Sequence, residues 1–236
     1  LTDYIKKDLK RRIGTEEPLT SLGTVPVFET LRRKYGRTLS IGLLSGTLVI
    51  LPDAILPAVT DLAAQRGIPI VLDPVGVGAT AYRTKTAETL LRELPVSVLR
   101  GNVSEIKAVA GVASSTKGVD AHAGDAVTQD NLPALSDFVR NLARELSCTV
   151  AMSGAIDLIS DGNAVYVVQN GHPIMPRITG SGCMLSGVTT AFVAANAQDP
   201  AQAAAAAYAA MGLCGEIAHA ALRPGQGTGA FRSNLI

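Results

Sequence analysis

Tryptophan is absent from this 236-residue chain, and only four phenylalanines and five tyrosines are present. A surface that stacks nucleic-acid bases needs aromatic side chains, so this scarcity argues against one. Charge is sparse too. Asp, Glu, Lys and Arg make up 17%, and 21 Lys+Arg against 20 Asp+Glu leave a formal net charge of +1. Without a basic excess, binding to nucleic acid through its phosphates is a poor fit. The basic group Lys6, Lys7, Lys10, Arg11 and Arg12 reads as the solvated face of a charged helix over 1–12. The three cysteines, Cys148, Cys183 and Cys214, are odd in number and lack metal-ligand spacing. They form neither a disulfide framework nor a zinc site. Cys148 is expected in a strand core and Cys214 in a helix core. His122, His172 and His219 are isolated and read as structural. No uninterrupted apolar run reaches the roughly 18 residues of a membrane span. LTDYIKKDLKRR has no signal-peptide apolar core, so the expected location is cytoplasmic.

Apolar side chains are plentiful, at 47%, which excludes disorder and supports a sizeable core. Residues 1–40 have no clear pattern: a loop over 14–26 and a short helix over 28–35 follow the charged segment. From about residue 41 a strand–helix rhythm begins. Strands are expected over 43–51, 68–72, 96–99 and 148–152. Helices are expected over 53–65, 84–93, 103–111 and 131–146, with a glycine-containing loop over 113–130. Short all-apolar strands such as IPIVL fit a parallel sheet buried on both faces. The pattern then changes to three short strands over 156–159, 164–169 and 174–178, read as an antiparallel edge meander. Two Ala-rich helices follow, over 183–197 and 200–222. Asp199 and Pro200 supply an N-cap and a first-turn proline. The tail GQGTGAFRSNL reads as a loop that docks the chain end. The expected organisation is an unplaced segment over 1–40 and a single α/β domain over 41–236.

Three segments carry chemistry. In TGSGCMLSG, Thr179 to Gly187, glycines 180 and 182 bring backbone N–H groups to the start of a helix. Unpaired donors and the helix dipole favour an anion such as phosphate there, with Cys183 in the first turn. A tight turn with a small buried cysteine is the alternative. In LDPVGVGAT, Asp73 ends a buried strand, where open α/β sheets bind ligands; alternatively it caps its own loop. In LRGNVSEIKAVAG, Arg100 also ends a strand and suits a polyphosphate, while Glu105 suits the water shell of Mg²⁺. Asn102 and Glu105 also fit a reciprocal capping box. Ser153-Gly154 ends a further strand, where the hydroxyl suits a phosphate oxygen or a plain turn.

Taken in order, LDPVGVGAT, RGNVSEI, KGVDA, VAMSG, NGH, TGSGCMLS and GTGAF resemble the hydroxyethylthiazole kinases of thiamine salvage. The resemblance runs from near Gly46 to Ile236. It implies a ribokinase-like three-layer α/β/α sandwich with a mostly parallel sheet and an antiparallel edge. It implies transfer of the ATP γ-phosphate to the primary alcohol of 4-methyl-5-(2-hydroxyethyl)thiazole, with Mg²⁺, by a homotrimer. By position it implies Arg100, Ser153 and Gly182 as ATP contacts, with Ser153 replacing a more usual Thr. Gly180 is the implied contact to the thiazole, and Asp73 and Glu105 the acidic pair around magnesium. Cys183 stands where most ribokinase-like kinases carry an Asp general base. The family's N-terminal block, resembling Pro-Leu-Val-His-x-Ile-Thr-Asn, has no counterpart in residues 1–40 beyond a faint echo in PLTSLGTVPV. A ribokinase-like protein that binds nucleotide without turnover, and a related small-alcohol kinase, stay open as alternatives.

Overall fold

The computed structural model describes residues 63, 65–113 and 127–235, together with the backbone of 43–44. Within them, short apolar segments form a six-stranded sheet in the order β1 to β6. The strands are β1 (Leu43–Leu44), β2 (Ile70–Asp73), β3 (Val96–Asn102), β4 (Thr149–Ser153), β5 (Asp157–Ser160) and β6 (Val165–Val168). β1 to β4 run parallel, and β5 and β6 are antiparallel neighbours on the far side. Residues 1–40, most of the strand expected over 43–51, most of the helix over 53–65, most of the loop over 113–130 and His122 lie outside the described residues.

Alternation along each strand builds the two cores. Ile70, Leu72, Leu99, Val150, Met152 and Leu158 face one layer. That layer is α1 (Ala81–Glu93), α2 (Val103–Ala113) and α3 (Leu132–Leu146). Val71, Val98, Ala151 and Ile159 face the other, formed by α4 (Ser181–Ala195) and α5 (Pro200–Ala220). A central strand with both faces covered has no reason to alternate with polar residues, which is why IVLD is buried throughout. Alanine dominates α5 where it lies on the sheet: Ala203, Ala204, Ala205 and Ala207 are all buried. Small side chains let the helix approach closely. The expected cap is present, Asp199 accepting from Gln202 N at 3.0 Å with Pro200 in the first turn. The expected three-layer sandwich, parallel sheet and antiparallel edge are borne out.

Four local expectations are corrected. Residues 174–178 do not form a strand. Met175–Arg177 is a single 3₁₀ turn, because Pro173 and Pro176 have no N–H for a ladder. The meander therefore has two strands. The tail is not a loop: Thr228–Leu235 forms a helix, α6, whose Phe231 is fully buried against Ile178 and Ala218. Cys214 is exposed on α5 rather than in its core. Cys148 is buried as expected, and burial pushes its thiol up to about 11. His172 and His219 are not isolated; their rings stack with centroids 3.5 Å apart. No helix among the described residues is long and apolar enough to cross a membrane.

Candidate active site

Parallel strands all end on one edge of the sheet, and short loops hold their last residues there. Asp73 ends β2, Arg100 lies near the end of β3, and Ser153 ends β4. Register places Arg100 opposite Ala151 and Asn102 opposite Ser153. α4 then runs back along the sheet and brings Gly182 and Ser186 to the same point.

Arg100 is the centre of this cluster. Its Nη1 reaches Asp73 Oδ2 at 2.8 Å, the Gly182 carbonyl at 3.1 Å and Ser186 Oγ at 3.0 Å. Nη2 donates to Ser153 Oγ at 3.2 Å, and Ser153 in turn donates to the Gly101 carbonyl at 3.2 Å. Nε lies 3.5 Å from the Tyr208 hydroxyl, which donates to the Ala151 carbonyl at 3.1 Å. Burial works against the guanidinium charge, but Tyr208 and Asp73 outweigh it, and the Arg100 pKa is raised. Burial pushes the Tyr208 phenol up to about 12, against the pull of Arg100. Ser186 also donates to Asp73 Oδ2. The other oxygen, Asp73 Oδ1, is buried without a hydrogen-bond partner among the described residues.

Glu105 is held by backbone. Oε1 accepts from Gly76 N and Oε2 from Asn102 N, both at 2.9 Å. Asn102 Oδ1 accepts from Glu105 N at 2.9 Å, which completes the capping box. The carboxylate therefore ties the glycine loop after β2 to the start of α2. Gly180 takes the left-handed φ of +95° that the turn into α4 requires. Met184 N is bonded to the Gly180 carbonyl at 2.9 Å. The amides of 181–183 precede it in the first turn, where helix N–H groups have no partner within the helix. Cys183 is exposed there.

A cleft of about 660 Å³ opens on this edge. Its wall includes Arg100, Asn102, Ser153, Asp157, Gly182 and Tyr208 at the polar part, and Pro173, Met175, Pro176 and Met211 at the apolar part. Arg100, Ser153 and Gly182 thus meet in one cleft, while Asp73 lies behind Arg100. Gly180, Cys183 and Glu105 are outside its lining. Sequence reasoning missed Ser186, Tyr208 and Asp157. Ser186 carries a weak signal, one helical turn after Gly182, and Tyr208 interrupts an alanine run. Asp157 opens a strand beside the Ser153-Gly154 turn.

A family model described as the hydroxyethylthiazole kinase family matches residues 38–236. The chain belongs to that family. It is 40% identical over 201 residues to a hydroxyethylthiazole kinase of Clostridium acetobutylicum, covering 85% of this chain and 72% of the relative. A hydroxyethylthiazole kinase of Methanoculleus marisnigri is 47% identical over 200 residues, covering 84% of this chain and 66% of its own. A third, of Oleidesulfovibrio alaskensis, is 41% identical over 228 residues, covering 94% and 81%. Among solved structures, hydroxyethylthiazole kinase from Pyrococcus horikoshii OT3 superposes with a TM-score of 0.62 at 34% identity, covering 80% of this chain and 66% of that one. The family resemblance read from the motif order is borne out, and with it the kinase class.

Proposed function

We propose that this hydroxyethylthiazole kinase family member transfers the γ-phosphate of ATP to the primary alcohol of 4-methyl-5-(2-hydroxyethyl)thiazole at the Arg100 edge of the sheet. The observation that carries the placement is the convergence of Arg100, Ser153 and Gly182 on one cleft, beside the free amides that open α4. Phosphoryl transfer asks little covalent chemistry of a protein; positioning and charge neutralisation dominate. Arg100 supplies a fixed positive charge for a phosphate, and the 181–183 amides supply donors for the transferred group. Gly180, with no side chain, leaves its backbone open to the thiazole. Cys183 stands in the first turn as the group that positions the alcohol and accepts its proton late.

Asp73 and Glu105 suit Mg²⁺ in donor type, since hard cations prefer carboxylate oxygens and complete their shell with water and substrate phosphates. Asp73 Oδ1, buried without a donor among the described residues, has the unused lone pairs such an ion would take. When bound, Mg²⁺ would neutralise phosphate charge. Glu105, which accepts a backbone donor on each oxygen, would act on the ion through water. The family resemblance also supports a homotrimer, which sedimentation checks directly.

The deciding experiment follows ³²P from labelled ATP into the thiazole alcohol. Labelled thiazole phosphate is the expected product. Binding of ATP without product, read as thermal stabilisation, would instead support the non-catalytic alternative. Turnover of another alcohol alone would support a different acceptor.

A further inference from the structure

We propose that Asp157 receives the ribose hydroxyls of the nucleotide: its side chain lines the cleft beside the Arg100–Ser153 pair, with one oxygen unclaimed among the described residues. The assignment rests on the nucleotide-binding role given to the cleft above. Asp157 begins β5, and its Oδ1 accepts from Gly154 N at 2.8 Å, closing the turn that follows Ser153. The second oxygen receives no hydrogen bond from the described residues. Among the described residues the carboxylate has no ion pair of its own, and the Arg100 guanidinium forms its ion pair with Asp73. Burial accordingly pushes the Asp157 carboxyl up to about 6, against the Gly154 N–H and the more distant charge of Arg100. A half-buried carboxylate left without a counter-ion is unfavourable to the folded chain, and such groups concentrate where a ligand completes them.

Which part of a nucleotide completes it follows from charge and from order along the ligand. Phosphates repel a carboxylate. A ribose offers neutral O–H donors, and a hydroxyl bonded to a carboxylate makes a strong charge-assisted contact. Dinucleotide-binding folds use an acidic side chain on ribose in the same way. Asp157 is one turn from Ser153, whose hydroxyl touches the proposed phosphate ligand Arg100. The apolar part of the cleft, with Pro173, Met175, Pro176 and Met211, suits a base. Sugar is the portion of the nucleotide that joins those two ends.

The test measures KM for ATP, 2′-deoxy-ATP, 3′-deoxy-ATP and inosine triphosphate at pH 8, in the unmodified protein and in Asp157→Asn. Asparagine keeps an oxygen for Gly154 N, and a thermal melt verifies that the variant folds. The unmodified protein should prefer ATP over at least one deoxy analogue by about tenfold, the factor for one hydrogen bond to a charged group. Asp157→Asn should erase that preference while keeping the ratio between ATP and inosine triphosphate. Equal use of ATP and both deoxy analogues by the unmodified protein overturns the proposal, and needs no variant. So does an equal loss for all four nucleotides in Asp157→Asn, which would mark a structural role. A change confined to the inosine ratio would move the contact to the base. If the unmodified protein neither binds nor turns over ATP, the nucleotide role of the cleft falls first, and that failure is distinct from the others.

Discussion

Asp73 and Arg100, near the ends of adjacent parallel strands, form an ion pair of 2.8 Å with side chains only 4% and 6% exposed. From sequence, Arg100→Ala is expected to weaken ATP use much more than stability. The geometry changes that expectation, because the substitution also leaves Asp73 buried without its cation. Breaking one side of a buried pair costs about 3–5 kcal/mol. Arg100→Ala should therefore lose ATP-dependent turnover and also lower the urea midpoint. Adding Asp73→Asn removes the stranded charge, so the double variant should regain stability but not ATP use. A double variant that regains both would take Arg100 out of the nucleotide site.

The layers of the fold were legible because burial on two faces leaves a plain signature: uninterrupted apolar strands such as IPIVL between amphipathic helices. Arg100, Ser153 and Gly182 were legible as strand ends and as a glycine turn, and the structure joins them. Ser186, Tyr208 and Asp157 were not, since their positions depend on which strand lies beside which. Tyr208 meets Arg100 across 108 residues of sequence. Proline decided the misread edge: 174–178 has strand-like side chains, but the prolines withhold the N–H groups a third strand needs. The tail misled through its glycines, whose low helix propensity is outweighed by burial of Phe231.

Cys183 gives the cleanest separation of chemistry from folding. The thiol is exposed at the first turn of α4, so its replacement leaves no cavity. Cys183→Ser should shift stability by no more than about 0.5 kcal/mol, the usual range for surface changes. Turnover of the thiazole should fall while ADP affinity, measured by calorimetry, stays near that of the unmodified protein. Unchanged turnover would deny the thiol any part in the reaction.

Asp157 should leave its mark on stability as a function of pH. Its carboxyl titrates at about 6 in the folded chain, against about 3.9 when unfolded. Between those values the folded form holds more protons than the unfolded form. Stability therefore falls as pH rises through that window, and the full penalty is present above pH 6. It amounts to about 3 kcal/mol at most. Asp157→Asn, which carries no charge to bury, should gain stability over the unmodified protein by up to that amount at pH 8 and show little gain at pH 4. Denaturant midpoints at both values check it; an equal gain at both would mean that ionisation of Asp157 is not the cause.

Gly212 on α5 tests how the apolar wall of the cleft is held. A Cβ built there would lie 2.6 Å from Asn170 Oδ1 and 2.8 Å from Nδ2. The amide cannot easily withdraw, since Nδ2 donates to the Ala209 carbonyl at 2.7 Å. Helix propensity favours Gly212→Ala by up to about 1 kcal/mol. Overpacking at a closed contact costs about 1–3 kcal/mol, and displacing a bonded amide adds to it. The collision should win, so Gly212→Ala lowers the melting temperature. Both residues also line the cleft, so ADP affinity should fall with it. Adding Asn170→Ala clears the space. The double variant should then be more stable than Gly212→Ala alone, a non-additivity expected only of residues in contact. If the two substitutions simply add, Asn170 is not what keeps position 212 a glycine.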